Sequence, residues 1–174
     1  MNNQRERESG QSPTQGSMRA RSGREGQQVS EIMTRNPECV TEQDSIRNVA
    51  KLMLDHDTGA IPVVEENNRK VIGMITDRDI VVRLIANGRD IDGARVSEAM
   101  TRGVKTVREN QSVDEVFDLM SREQVRRVPV VDQNEGIIGI VAVKDLAEES
   151  ESKQDLAQTV EQISEGPGNS QKNR

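Results

Sequence analysis

Gly59-Ala60-Ile61-Pro62-Val63-Val64, followed nine residues later by Gly73-Met74-Ile75-Thr76-Asp77-Arg78-Asp79, reads as strand, turn, strand and the acidic start of a helix. The arrangement occurs twice. Val128-Pro129-Val130-Val131 and then Gly139-Ile140-Val141-Ala142-Val143-Lys144-Asp145 repeat it, and Met33-Thr34 recurs as Met100-Thr101 with the offset of 67 that also relates Pro62 to Pro129. A duplication this regular implies two structural repeats, each too small to close a core alone.

Upstream of the first hairpin, Ile46, Val49, Ala50 and Met53 recur at i, i+3, i+4 and i+7, so a helix starting near Asp44 carries one apolar stripe. It is expected to stop at Asp57-Thr58-Gly59, where glycine can take a positive φ. Residues 60–65 and 71–76 are β-rich and flank a polar turn, which predicts an antiparallel hairpin. Thr76 then serves as N-cap, Asp77 and Asp79 as first-turn acids, and Ile80, Val81 and Leu84 as the apolar face of a helix that Asn87-Gly88 ends. Residues 29–33 read as a helical lead-in turn and 38–41 as a short strand. In the second copy the lead-in is 96–100, the short strand 104–107, and Ser112-Val113-Asp114-Glu115 a capping box. Val113, Val116, Phe117 and Met120 form its stripe, strands follow at 127–131 and 137–142, and a helix runs from Val143 toward Glu149.

The expected fold class is α/β, with two β-α-β-β-α repeats packed about a pseudo-twofold and clefts between them. The layout is a tail at 1–28, a first repeat at 29–90, a second at 91–149, and a C-terminal segment at 150–174. The first 28 residues are almost wholly polar and are expected to be disordered. Leu156, Val160 and Ile163 predict a last amphipathic helix ended by Gly166-Pro167-Gly168, with a disordered end beyond it.

A net charge of −6 argues against nucleic acid and anionic membrane as general partners. One cysteine, Cys39, excludes an internal disulfide and a multi-cysteine zinc site; one histidine, His56, placed at a helix end, leaves little imidazole for metal. No apolar run reaches the roughly 20 residues of a membrane span, and the expected location is the cytoplasm.

The duplicated motifs resemble those of the CBS domain, the regulatory repeat named after cystathionine β-synthase, and the tandem is similar to a CBS pair, or Bateman module, of the stand-alone bacterial kind. The resemblance covers about residues 29–147. It implies an adenosyl ligand (AMP, ADP, ATP, NAD or S-adenosylmethionine) in clefts between the repeats, no required cofactor, and a homodimer. On that footing Asp79 and Asp145 are the expected ribose acceptors, and Thr76 with the free N–H groups of the helix start is the expected phosphate site. Gly59 and Ala60 lack bulk, so adenine could approach the backbone of Ile61, with Pro62 fixing the chain. In the second copy Arg126, Arg127, Val128 and Pro129 hold the matching positions, the two arginines as candidate phosphate partners. Ala142 stands where the first copy has Thr76, so the first site is expected to bind adenine nucleotides better.

No metal ligands and no catalytic residues are assigned. Asp77 and Asp79, two apart at a helix start, point in different directions and do not suit a general acid and base. The non-enzymatic sensor therefore stands against two alternatives: a structural dimerisation module with empty clefts, and an enzyme of unrecognised type. An unidentified protein partner fits either non-enzymatic reading.

Overall fold

Apolar residues at helical and alternating spacing condense into two cores, seen in a computed structural model that describes residues 26–148. Expectations for most of the N-terminal tail and for the C-terminal helix lie outside these residues. The order is α1 (Val29–Ile32), β1 (Thr34–Arg35), α2 (Ile46–Asp55), β2 (Ala60–Val64), β3 (Val71–Thr76) and α3 (Asp77–Asp79), which continues as a π-helical turn, Ile80–Leu84, and a 3-10 turn, Ile85–Asn87. A 3-10 turn at Val96–Glu98 leads to β4 (Thr101–Arg102), β5 (Val107–Arg108), α4 (Val113–Glu123), β6 (Arg127–Val131), β7 (Ile137–Ala142) and α5 (Val143–Glu148). Ser45 and Ser112 open the long helices by accepting from the N–H of Asn48 (3.1 Å) and Glu115 (3.2 Å).

Each repeat gives its lead-in to the other. The sheets run β1-β7-β6-β5 and β2-β3-β4, so β1 pairs with the second hairpin and β4 with the first. The cores follow suit. The first holds Val49, Ile61, Ile75 and Leu84 together with Val96, Ala99 and Met100; the second holds Val116, Met120, Val128 and Leu146 together with Val29 and Met33. Each large aliphatic side chain so buried contributes up to about 1.5–3 kcal/mol, which ties each lead-in to the opposite repeat.

The exchange is symmetric to the residue. Thr34 lies opposite Ile140 and Arg35 opposite Gly139, while Thr101 lies opposite Met74 and Arg102 opposite Gly73. These glycines are required by close approach. A Cβ on Gly73 would overlap the Thr101 carbonyl oxygen and Met100 Cε, and one on Gly139 would lie 2.5 Å from Met33 Sδ and 3.2 Å from the Thr34 oxygen. At the hairpin tips the Val71 N–H donates to the Glu135 carbonyl (3.3 Å) and the Ile137 N–H to the Arg69 carbonyl (3.1 Å). The pseudo-twofold passes between Lys70 and Gly136, which bridge there.

Five local expectations are corrected. The strand at 38–41 is a single parallel bridge, Val40 to Val63, and the one at 104–107 shifts to Val107–Arg108. Asp57 (φ 47°), not Gly59, takes the left-handed conformation after α2; an aspartate tolerates it by bonding locally. Ala50 is exposed, because it sits at the margin of a stripe whose centre is Ile46, Val49 and Met53. Val81 is exposed too, since the π turn leaves Ile80 and Leu84 as the inward pair.

Candidate functional site

The first hairpin brings the two halves of its site together. Ala60 lies opposite Thr76, and the Asp77 N–H donates to the Gly59 carbonyl at 3.1 Å. A Cβ on Gly59 would stand 2.8 Å from Asp77 Oδ2, so a side chain there would push the Asp77 carboxylate aside. The Asp77 carboxylate thus lies over the start of β2.

Thr76 and Asp79 form a reciprocal cap. Asp79 Oδ2 accepts from the Thr76 N–H (3.0 Å) and from Thr76 Oγ1 (2.7 Å), and the Asp79 N–H donates to Thr76 Oγ1 (3.1 Å). The Arg78 N–H goes to Asp77 Oδ1 at 2.7 Å. These bonds engage, within the chain, the donors of the expected phosphate site. A hydroxyl has one proton, and Thr76 gives it to Asp79; the N–H groups of Asp77, Arg78 and Asp79 are likewise all committed within the chain. Asp79 keeps acceptor capacity, because a carboxylate offers about four lone-pair positions and, among the described residues, Oδ1 meets Arg83 Nη2 at 3.3 Å.

Ile61 is in the first core, and Pro62 is buried beside it. The Pro62 carbonyl accepts from Val40 N–H (3.0 Å) on the outer side of β2, so strand alternation turns the polar groups of Ile61 inward toward β3. The outward-facing groups belong to Ala60, where Thr58 Oγ1 donates to the carbonyl (3.2 Å) and accepts from the N–H (3.4 Å). The outward-facing backbone groups next to Gly59 are therefore those of Ala60, one residue before Ile61. Thr58 reads in the sequence only as part of the helix stop, although a hydroxyl two residues before a strand start is a recognised local turn signal.

The second hairpin builds the same frame with different chemistry. Arg127 lies opposite Ala142, the Val143 N–H donates to the Arg126 carbonyl (3.0 Å), and Asp145 Oδ2 accepts from the Ala142 N–H (2.7 Å). Arg126 is exposed and Arg127 half-buried, and neither forms a salt bridge among the described residues. Val128 and Pro129 are buried and frame the strand without presenting side chains.

Arg83 is the other residue that sequence reasoning missed, although it stands four after Asp79, the spacing at which an acid and a base meet on a helix. Cys39 lies apart from both sites. Burial pushes its thiol up in pKa, offset in part by the Arg69 guanidinium, whose Nη2 lies 3.6 Å from Sγ. A raised thiol pKa does not suit a nucleophile. Among the described residues no group of three His, Cys, Asp or Glu side chains could hold a metal ion, and no helix is long and apolar enough to cross a membrane.

Known proteins share this frame. The family model of the CBS domain matches residues 29–86 and 96–152. The chain is 40% identical over 136 residues to the CBS domain-containing protein YhcV of Bacillus subtilis, covering 78% of this chain and 94% of that one. It is similar to the crystal structure of Hypoxic Response Protein I with two coordinated zinc ions (TM-score 0.64, 35% identity, 70% of this chain and 98% of that one). It is also similar to the CBS domain pair of protein MJ0100 in complex with 5′-methylthioadenosine and S-adenosyl-L-methionine (TM-score 0.63, 33% identity, 70% and 98%).

Proposed function

Because the chain belongs to the CBS domain family, as a tandem pair, we propose that it is a non-enzymatic sensor that binds an adenosyl ligand and passes occupancy on through its assembly. The observation that carries this reading is the meeting of a side-chain-free strand start, Gly59-Ala60, with an acidic cap, Asp79, whose Oδ1 retains acceptor capacity. The complex of the MJ0100 pair with two adenosyl compounds supports the ligand class. Adenine lies against Gly59 and Ala60, and the ribose hydroxyls donate to Asp79.

The second site is its counterpart at Arg126, Arg127 and Asp145. With Thr76 committed to its cap, the ranking of the sites turns on charge. Asp77 over Gly59 repels a phosphate, whereas Arg126 and Arg127 attract one. AMP and ATP therefore favour the second site, and uncharged adenosyl compounds the first.

Leu54, 80% exposed, and Val81, Val82 and Ile85 leave an apolar surface on the first repeat, and a second copy covers it in a homodimer. Light scattering at micromolar concentration checks that assembly.

Calorimetry with 5′-methylthioadenosine and AMP tests the ligand reading on wild type, Asp79→Ala and Asp145→Ala. A hydrogen bond to a charged group is typically worth about 1.5–3 kcal/mol, so each substitution should weaken binding at its own site by roughly one to two decades. An unchanged isotherm for both variants would remove the assignment. No heat and no thermal shift with any adenosyl compound would leave the structural module as the better reading.

A further inference from the structure

One guanidinium connects the acid of the first site to the lead-in of the second repeat. Arg83 Nη1 donates to the carbonyls of Ala99 (2.6 Å) and Met100 (2.7 Å), and Nη2 donates to Thr101 Oγ1 (2.9 Å) while facing Asp79 Oδ1 at 3.3 Å. The three bonds to the lead-in are short. The contact to Asp79 is the long one.

The segment held in this way is the one that joins the repeats. Ala99 and Met100 are buried in the first core, and Thr101 pairs with Met74 at the start of β4. Arg83 sits in the π-helical turn Ile80–Leu84, and such turns are rare and recur at functional positions. In the second repeat the sequence position matching Arg83 is Glu149, and a carboxylate has no proton to give a carbonyl.

We propose that Arg83 is a positioning residue that passes occupancy of the Asp79 site to the lead-in of the second repeat, residues 99–101. This rests on the reading that Asp79 receives the ribose of an adenosyl ligand. Oδ2 already accepts two hydrogen bonds from Thr76, so the incoming hydroxyls must turn to Oδ1. They compete there with Arg83. A guanidinium is a planar fork whose donors move together, so losing the carboxylate at one edge frees the whole group to swing and loosens its hold on the Ala99 and Met100 carbonyls. Linkage makes the effect reciprocal: whatever the ligand costs the Arg83 contact, removing Arg83 returns to the ligand. The signal runs from the first site toward the second lead-in.

The test is amide hydrogen exchange across residues 99–103 on the full chain, with 5′-methylthioadenosine as the probe because it has no phosphate to be drawn to Arg83 itself. In wild type the ligand should speed exchange in this segment by about fivefold or more, the lower range of ordinary allosteric coupling. In Arg83→Gln the segment should exchange fast without ligand, ligand should change it no further, and the probe should bind more tightly than to wild type. Arg83→Lys, which keeps the charge but not the fork, should fall between. Binding in wild type with no change at 99–103, or a ligand effect that survives Arg83→Gln, would overturn the relay and leave the sensor reading intact. Failure of wild type to bind the probe at the Asp79 site would overturn both.

Discussion

The two repeats share a backbone and differ in what they hang on it. Left-handed residues fall at matched places, Asn36 and Gly103, Asp57 and Gln124, Arg69 and Glu135, and the exchanged lead-ins and hairpin bridges obey the same pairing. Side chains at the sites do not. In the matching positions Gly59-Ala60 corresponds to Arg126-Arg127, Thr76 to Ala142, Asp77 to Val143, and Arg83 to Glu149. The backbone is shared because each lead-in must fit the other repeat, so a change in one hairpin has to suit both. Side chains at the strand start and helix cap meet no such constraint, and there the repeats are free to specialise.

The largest effect should come from the two glycines that admit the lead-ins, and the symmetry breaks there in a measurable way. Gly73→Ala places a Cβ against a backbone carbonyl as well as against Met100, whereas Gly139→Ala meets chiefly the sulfur of Met33, which can move. Overpacking against fixed atoms costs about 1–3 kcal/mol. Urea unfolding should place Gly73→Ala at or above the upper end of that range and Gly139→Ala near the lower end. Equal losses would mean that the second lead-in is no more rigidly seated than the first.

A smaller difference follows from the caps. Thr76 closes a reciprocal cap with Asp79, and Ala142 leaves Asp145 with one backbone donor. Removing a threonine N-cap typically costs about 1 kcal/mol. Thr76→Ala should therefore lower stability by about that much in thermal or urea unfolding, and Ala142→Thr should raise it by a similar or smaller amount. A destabilised Ala142→Thr would show that the second helix start differs in backbone, against the symmetry seen elsewhere.

Much of this was legible in the sequence, for reasons that particular residues make plain. Both hairpins and the capping box at Ser112 were readable because alternation and cap chemistry are local. The exchange of lead-ins was not. Thr34-Arg35 and Thr101-Arg102 are nearly identical two-residue strands with exposed side chains, so no pattern tells pairing within a repeat from pairing across it. The location of the candidate site was legible from the motif, but the state of its donors was not. Whether the N–H groups after Thr76 are free depends on the side chains of Asp77 and Asp79 folding back, which is a matter of rotamers and not of spacing. Arg83 could have been found from its i+4 relation to Asp79, but its hold on Ala99 and Met100 belongs to the exchange and shared its obscurity.

The smallest effect belongs to the side-chain pair on the pseudo-twofold itself, Lys70 with Glu135, which the second hairpin's shorter turn sets beside Gly136. Their hydrogen bond raises the pKa of Lys70 and lowers that of Glu135, each chiefly through the other. For Glu135, with its pKa depressed by folding, the contribution to stability is present above the unfolded carboxylate value and fades as pH falls through the folded one. For Lys70, with its pKa raised, the contribution is full below the unfolded ammonium value and fades as pH rises through the folded one. Between those limits the pair's contribution is flat with pH. Both groups face solvent, so salt screens them and the contribution is slight. Lys70→Met and Glu135→Gln should each shift the melting temperature less than any substitution above, and a double-mutant cycle should show a coupling that shrinks in high salt. The backbone bonds from Val71 to Glu135 and from Ile137 to Arg69 survive both changes and keep the tips joined. A loss as large as that of Gly139→Ala would mean that the tips are held by this ion pair, and that the repeats are matched by charge as well as by backbone.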